Sequence, residues 1–327
     1  MSGEQTNPVI TEQHPDQFLI QKGKLKLSNP HIQPGQEDVL YHIALGNKSH
    51  NLQSLFQDIK FVCMGGSPNR MRQFADYLVS ELHINLPSGM GLTNIACGSD
   101  RYVLYKVGPV LSVSHGMGVP SLSIIFHEIV KLLHHAGCSD VTFFRLGTSG
   151  GLGIEPGSLV ITEEAVDGLL RPYMEMATLG RLVQYPSRLD PDLARELQKL
   201  ALTDPECHCH STYLSKTMCT LDFYEGQARL DGAFCDYQAE DKMTFLKKVH
   251  SSGVANIEME SLCFASYCHR AGIRGAVVCV TLLDRLEGDQ ITTPHNILEE
   301  WQQRPQKLVA SYIKLCLNGK NFSSKSS

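Results

Sequence analysis

No block of lysine and arginine interrupts this 327-residue sequence, whose 29 basic and 34 acidic residues leave a formal charge of −5. That balance argues against a nucleic-acid or anionic-membrane surface, so any cation that matters is expected inside a pocket. Long apolar runs are missing too. The longest, "GAVVCVTLL" at 275–283, falls far short of the roughly 20 residues that cross a bilayer and reads as a buried strand. The first twenty residues mix acids, prolines and polar groups and lack the basic start and apolar core of a secretory signal. They predict a flexible extension over 1–24 and a soluble, cytoplasmic protein.

Cysteine is present in an odd number, eleven, in a chain too large to need stapling. Most lie beside apolar residues, as in "KFVCM" and "VVCVT", which suggests reduced thiols used as small hydrophobes in a reducing compartment. "ECHCH" at 206–210 could hold a metal. A closed zinc site wants wider ligand pairs, however, and a polar loop is the preferred reading of Cys207 to His210.

Strands and helices alternate along the chain. "DIKFVCMGG" (58–66) is a strand running into a glycine turn, followed by a Ser-Pro-started helix over 67–82. A hairpin around Gly108-Pro109 precedes a helix over 119–137 that starts at proline and ends at glycine. Then come the strand "VTFFRLG", a glycine-rich turn, the strand "SLVITEEAV" and a helix over 190–202. A helix over 239–252, the junction "NIEMES" leading into an apolar helix that ends at 272, a strand over 275–281 and a helix over 294–316 complete the series. This is an α/β fold with a parallel or mixed sheet in one domain, 25–318, followed by a polar tail over 319–327.

Ligands of such sheets gather beyond the carboxyl ends of the strands, and three unusual turns fall there: "GGSPNR", "RLGTSGG" and "NIEMES". Neither glycine turn has the Lys-Ser or Lys-Thr pair of a nucleotide P-loop, and the dinucleotide glycine spacing is absent. What remains are backbone amides near Gly66, a helix start with Arg70, and a second turn with Arg145 and Thr148. That set suits a small free oxyanion. Arg145, flanked by Phe143, Phe144 and Leu146, would cost several kcal/mol if buried without a counter-charge. A structural salt bridge to a distant acid is one answer. The adjoining turn offers donors and no acid, and so favours a bound phosphate.

"DFYEGQARLDG" (222–232) sets Phe223, Gln227 and Arg229 within seven residues. The Gln227 amide matches a ring edge bearing a carbonyl beside an N–H, and Arg229 could stabilise charge on a departing heterocycle, though a solvated loop would read the same way. Glu260 could accept two sugar hydroxyls over Met259, or could simply favour a helix N-terminus while Met259 packs in the core.

Taken in order, "KFVCMGGSPNRM", "IACGSDRYVLYKV", "RLGTSGGLG", "TMCTLDFYEGQARLDG", "NIEMES" and "VVCVTLLDRLEGDQI" resemble the eukaryotic uridine phosphorylases over about 40–314. The resemblance implies the nucleoside phosphorylase fold, an α/β domain round a mixed, barrel-like sheet flanked by helices. It also implies reversible phosphorolysis of uridine to uracil and ribose 1-phosphate, with inorganic phosphate as a substrate and no cofactor or metal. It assigns phosphate to Gly66, Arg70, Arg145 and Thr148 with Arg101 of a second subunit, ribose to Met259 and Glu260 with His42 across a homodimer, and uracil to Phe223, Gln227 and Arg229. Arg145, Thr148, Arg229 and Glu260 would then carry catalysis. No side-chain nucleophile is needed, so Ser149, His115 and Cys97 are read as structural.

Two departures stand out. Ala228 replaces a common glycine, which matters if the position needs positive φ. Asp284 sits where purine-cleaving relatives carry an acid, which leaves a purine or broader specificity open. Hydrolysis by water and a non-catalytic, nucleoside-binding role are the competing readings.

Overall fold

The segment Thr142–Gly151 is buried at eight of its ten positions, with only Thr148 and Gly150 partly exposed. A run that is apolar on both faces is what a sheet covered by helices on both sides requires. In the computed structural model, which describes residues 20–319 apart from 34, 87, 88, 206 and 209, this segment is the central strand. The expected glycine turn after "RLG" is therefore corrected: residues 147–151 continue the strand.

The elements run β1 (Val39–Leu40), β2 (Leu45–Gly46), α1 (Leu52–Phe56), β3 (Phe61–Gly65), α2 (Pro68–Glu81), β4 (Leu104–Val107), β5 (Val110–Ser114), α3 (Gly118–Ala136) and β6 (Thr142–Gly151). They continue with β7 (Leu159–Val166), the hairpin β8 (Tyr173–Thr178) and β9 (Arg181–Pro186), α4 (Pro191–Thr203), β10 (Thr212–Cys219), α5 (Ala239–Ser251), β11 (Val254–Glu258), α6 (Ser261–Ala271), β12 (Arg274–Asp284) and α7 (His295–Leu317). The β8–β9 hairpin was not anticipated from the sequence.

β11, β10, β7, β12 and β6 pair in that order, and β6 pairs again with β11 through Gly150↔Ile257 and Gly151↔Asn256. A five-stranded barrel closes, and β3, β5 and β4 extend the sheet from β6. The ladder is mixed: β12 runs parallel to β6 but antiparallel to β7. The expected mixed, barrel-like sheet is present. Glycine makes the far half of β6 possible, because a Cβ on Gly147 would lie 2.7 Å from Arg145 Nη1 and one on Gly150 2.8 Å from Arg285 Cγ. Both guanidinium-bearing chains lie along the strand where side chains would otherwise stand.

Apolar clusters cover both faces, one built by α1, α3 and α6 and the other by α2, α4 and α7. The helix ends follow local chemistry. Ser67 caps α2 by accepting the Arg70 N–H at 3.4 Å, with Pro68 at the first turn. α3 and α6 end at left-handed Gly137 and Gly272. Residues 1–19 of the expected extension and 320–327 of the expected tail lie outside the described residues. The amides of Gln21 and Leu25 donate to the Gly272 and Cys138 carbonyls at 2.8 and 3.0 Å.

Candidate active site

A cavity of about 710 Å³ opens beyond the ends of β3 and β5 and along the far parts of β6, β11 and β12. At one end it is lined by Gly66, Arg70, Arg145 and Thr148, next to Met259 and Glu260. At the other it is lined by Phe223, Gln227 and Arg229. The four sequence segments singled out for chemistry thus meet in one place.

Arg145 is 2% exposed. Its Nη2 lies 2.8 Å from Glu258 and also binds Glu260, while Nη1 donates to Cys279 Sγ at 3.2 Å. The adjoining segment does offer no acid, but the alternative of a salt bridge to distant acids is what forms: β11 and the turn after it bring in two carboxylates from over a hundred residues away. Burial alone would lower the Arg145 pKa, but Glu258 and Glu260 outweigh it and hold the group firmly charged. Glu258 also accepts the amides of Glu260 and Ser261 at 2.9 Å, so it is Glu258 that neutralises the N-terminus of α6. Glu260 instead reaches across to the first amide of α3, that of Gly118, at 2.5 Å. Burial pushes the Glu260 carboxyl up, and Arg145, His115 and the Gly118 amide together bring it below the usual carboxylate range.

Arg70, in the first turn of α2, faces the same cavity. Among the described residues no hydrogen bond or ion pair holds its guanidinium. Burial and the charge of Arg145 both push its pKa down, only partly offset by Cys279 and Glu260. The Gly66 backbone comes close to this group: a Cβ there would sit 3.0 Å from the Gly116 carbonyl oxygen and 3.7 Å from Arg70 Nη2.

The other end is built differently. Arg229, 7% exposed, lies over the Phe223 ring at 4.4 Å and forks onto Asp231 at 2.8 and 2.6 Å. Gln227, 4% exposed, is held by Arg285, which bonds its backbone oxygen at 2.8 Å and its side-chain oxygen at 3.4 Å. Arg285 is fully buried and pairs with Asp289 at 2.9 Å, and Lys242 pairs with the same carboxylate at 2.9 Å. Ala228, between Gln227 and Arg229, has φ 52° and ψ 41°. The position that often carries glycine does require the left-handed region here, at a cost of about 1 kcal/mol for alanine.

Asp284 is not among the residues lining the cavity. One of its oxygens, Oδ1, accepts the amides of Gly153 and Leu286, each at 3.0 Å. Arg101 and His42 do not line the cavity of their own chain either. Arg101 is largely exposed beside Asp100, and His42 bonds Glu128 at 2.7 Å.

Of the three residues read as structural, Ser149 bonds the Val280 carbonyl and Asn256, and Cys97 is exposed. His115 is a cavity residue. In "ECHCH", Glu206 and Cys209 lie outside the described residues, Cys207 is buried in the core, and no metal-holding cluster occurs among the described residues. Sequence reasoning missed Glu258, Arg285 and Asp289. The pattern did contain a signal for Glu258, because it lies two residues before Glu260 at a strand-to-helix junction, where a second acid can turn back onto the helix amides.

The model of the Phosphorylase superfamily matches residues 60–314. The chain is 52% identical to mouse uridine phosphorylase 2 over 293 residues, 90% of each protein. It is 40% identical to the inactive uridine phosphorylase B of Schistosoma mansoni over 88% of this chain and 95% of that one. A crystal structure of Schistosoma mansoni uridine phosphorylase in complex with thymidine matches with a TM-score of 0.84 at 42% identity, covering 90% of this chain and 99% of that chain.

Proposed function

The chain belongs to the phosphorylase superfamily and, within it, to the uridine phosphorylases, and from that premise we propose how its residues divide the work. The reaction is phosphorolysis of uridine to uracil and ribose 1-phosphate, a pentosyl transfer. One observation carries the assignment: a single cavity is lined both by a guanidinium-rich group, Arg70 and Arg145, and by the Gln227 amide with Arg229 stacked on Phe223.

Phosphate enters at Arg70, Arg145, Thr148 and the Gly66 backbone, where the N-termini of α2 and α3 add favourable dipoles. These groups aim one phosphate oxygen at the anomeric carbon, so much of the acceleration is orientation. Glu260 holds the sugar hydroxyls above Met259 while keeping Arg145 in place. The C–N bond breaks with charge flowing onto uracil, and Gln227 and Arg229 receive that charge on groups already set by Arg285 and Asp231. No side chain forms a covalent bond, and inorganic phosphate is the only co-reactant.

Arg101 and His42 act from a second copy of the chain. The His42 ring lies 6.3 Å from that of Tyr102, the residue after Arg101, so both belong to one partly exposed patch outside their own cavity. This supports a homodimer with shared sites. Among the described residues no helix is long and apolar enough to cross a membrane, and a cytoplasmic location is the reading we adopt.

The test follows the loss of ultraviolet absorbance of uridine, thymidine and inosine with and without phosphate. Uridine is expected to be cleaved only with phosphate, and inosine not at all, because Asp284 lies outside the cavity lining. Base release without phosphate would make the protein a hydrolase. Absence of any cleavage would place it with the inactive relative.

A further inference from the structure

His115 has no part in the division of labour above, yet it lines the same cavity. It follows β5, its amide donates to the Gly65 carbonyl at 2.8 Å, and its carbonyl receives the Ser121 hydroxyl at 2.6 Å, so its backbone is fixed. The side chain is 1% exposed, and neither ring nitrogen has a hydrogen-bond partner among the described residues. The Gly116 backbone is near enough to act weakly on the ring's charge without bonding either nitrogen in good geometry. Buried polar atoms in this condition are uncommon and invite a functional explanation.

Its position is informative. A methyl group on Gly66 would lie 3.8 Å from His115 Cε1 and 3.7 Å from Arg70 Nη2. Cε1 stands between the two ring nitrogens, so the polar edge of the imidazole and the Arg70 fork border one small space. Burial pushes the His115 pKa down to about 4, with Arg145 and Arg70 acting in the same direction and Glu260 opposing. At neutral pH the ring therefore carries one N–H and one bare nitrogen. The other groups assigned to phosphate are donors, apart from the Thr148 hydroxyl, which can act either way. The nearby carboxylates are already engaged, Glu260 by Gly118, Arg145 and, in the reading above, the sugar hydroxyls, Glu258 by α6 and Arg145. The bare nitrogen of His115 is a buried side-chain acceptor in this cluster without a partner among the described residues.

We propose that His115 accepts the hydrogen bond of the P–OH group of inorganic phosphate, selecting protonated tetrahedral anions over sulfate and turning the ionised oxygens toward Arg70 and Arg145. Near neutral pH phosphate keeps at least one proton and sulfate has none, although the two match in size and shape. A buried acceptor facing sulfate is left unpaired against a negative oxygen, and that mismatch is what discriminates. The inference rests on the phosphate reading of the site, and its test separates the two.

Initial rates of uridine cleavage by the full chain give the KM for phosphate and for arsenate, which shares the proton, and the Ki of sulfate against phosphate. In the wild type, arsenate is expected to replace phosphate, and sulfate to bind at least about tenfold more weakly. His115→Leu is expected to raise the phosphate KM about tenfold while kcat and the uridine KM stay within about twofold and sulfate binds no worse, so that the selectivity collapses. His115→Asn, which restores an acceptor oxygen, is expected to recover part of it. A wild-type selectivity below about tenfold overturns the proposal, as does a folded His115→Leu protein that keeps the wild-type ratio. If His115→Leu does not fold, the wild-type ratio and His115→Asn decide. Uridine cleavage that needs no phosphate would sink the phosphorolytic reading itself, a different outcome from loss of selectivity.

Discussion

At the end of the cavity proposed for the base each guanidinium has a carboxylate partner: Arg229 forks onto Asp231, and Arg285 sits on Asp289, which it shares with Lys242. At the end proposed for the anion Arg70 has none, and the two carboxylates beside Arg145 also serve the N-termini of α3 and α6. The first arrangement is finished before any ligand arrives, as recognition of a flat heterocycle by a few directed hydrogen bonds requires. The second leaves positive charge unmatched in a buried place, which an entering anion relieves. Arginines in one cavity therefore differ in kind: some are scaffolding with one exposed working edge, and one is held in waiting.

The contrast predicts that Arg145 and Arg70 behave oppositely. Arg145→Ala leaves Glu258 and Glu260 buried without their cation and is expected to cost about 3–5 kcal/mol of stability, read as a fall in the denaturant midpoint, with activity abolished. Arg229→Ala acts on the barrier. It is expected to lower kcat for uridine by about 3 kcal/mol in the transition state, and near-normal turnover would remove it from the leaving-group role.

A pH effect follows from His115. As pH falls below about 6.5 the unfolded chain takes a proton on this histidine, whereas the folded protein resists until about 4. Its stabilising contribution is therefore complete above about 6.5 and is lost across that window, on the order of 3 kcal/mol in all. The groups facing the ring are Arg70, Arg145 and Glu260. Unfolding of wild type and His115→Leu at pH 7 and pH 5 should show a flatter dependence in the variant.

Arg70→Ala should weaken phosphate by about 1.5–3 kcal/mol, the worth of a hydrogen bond to a charged group, and leave ligand-free stability unchanged or slightly higher. Equal destabilisation by Arg70→Ala and Arg145→Ala would erase the distinction between the two. The smallest effect belongs to Ala228→Gly. Relief of the left-handed strain is offset by the greater freedom of glycine in the unfolded chain, so a change under about 1 kcal/mol is expected. A large loss of stability would mean that the methyl group packs in a way its backbone angles do not suggest.

Much of the fold was legible in the sequence because the signals are local. Ser67-Pro68, Gly137 and Gly272 mark helix ends through hydrogen bonds and dihedrals that involve only a few neighbours. The far half of β6 was misread for the same reason: Gly-Thr-Ser-Gly-Gly is turn-like by composition, and only pairing with β11 and β12 makes it a strand. At the site, the donor residues could be named from their motifs, but Asp284 could be dismissed only once the lining of the cavity was visible.

The amino-acid order by itself determined the alternation of strands and helices and which short segments bring chemistry, because those depend on periodicity and on residues within one turn of each other. The tertiary structure decided what each charge faces. Arg145 and Glu260 stand 115 positions apart, and a buried charge takes its role from partners that only the closing of the barrel brings within reach.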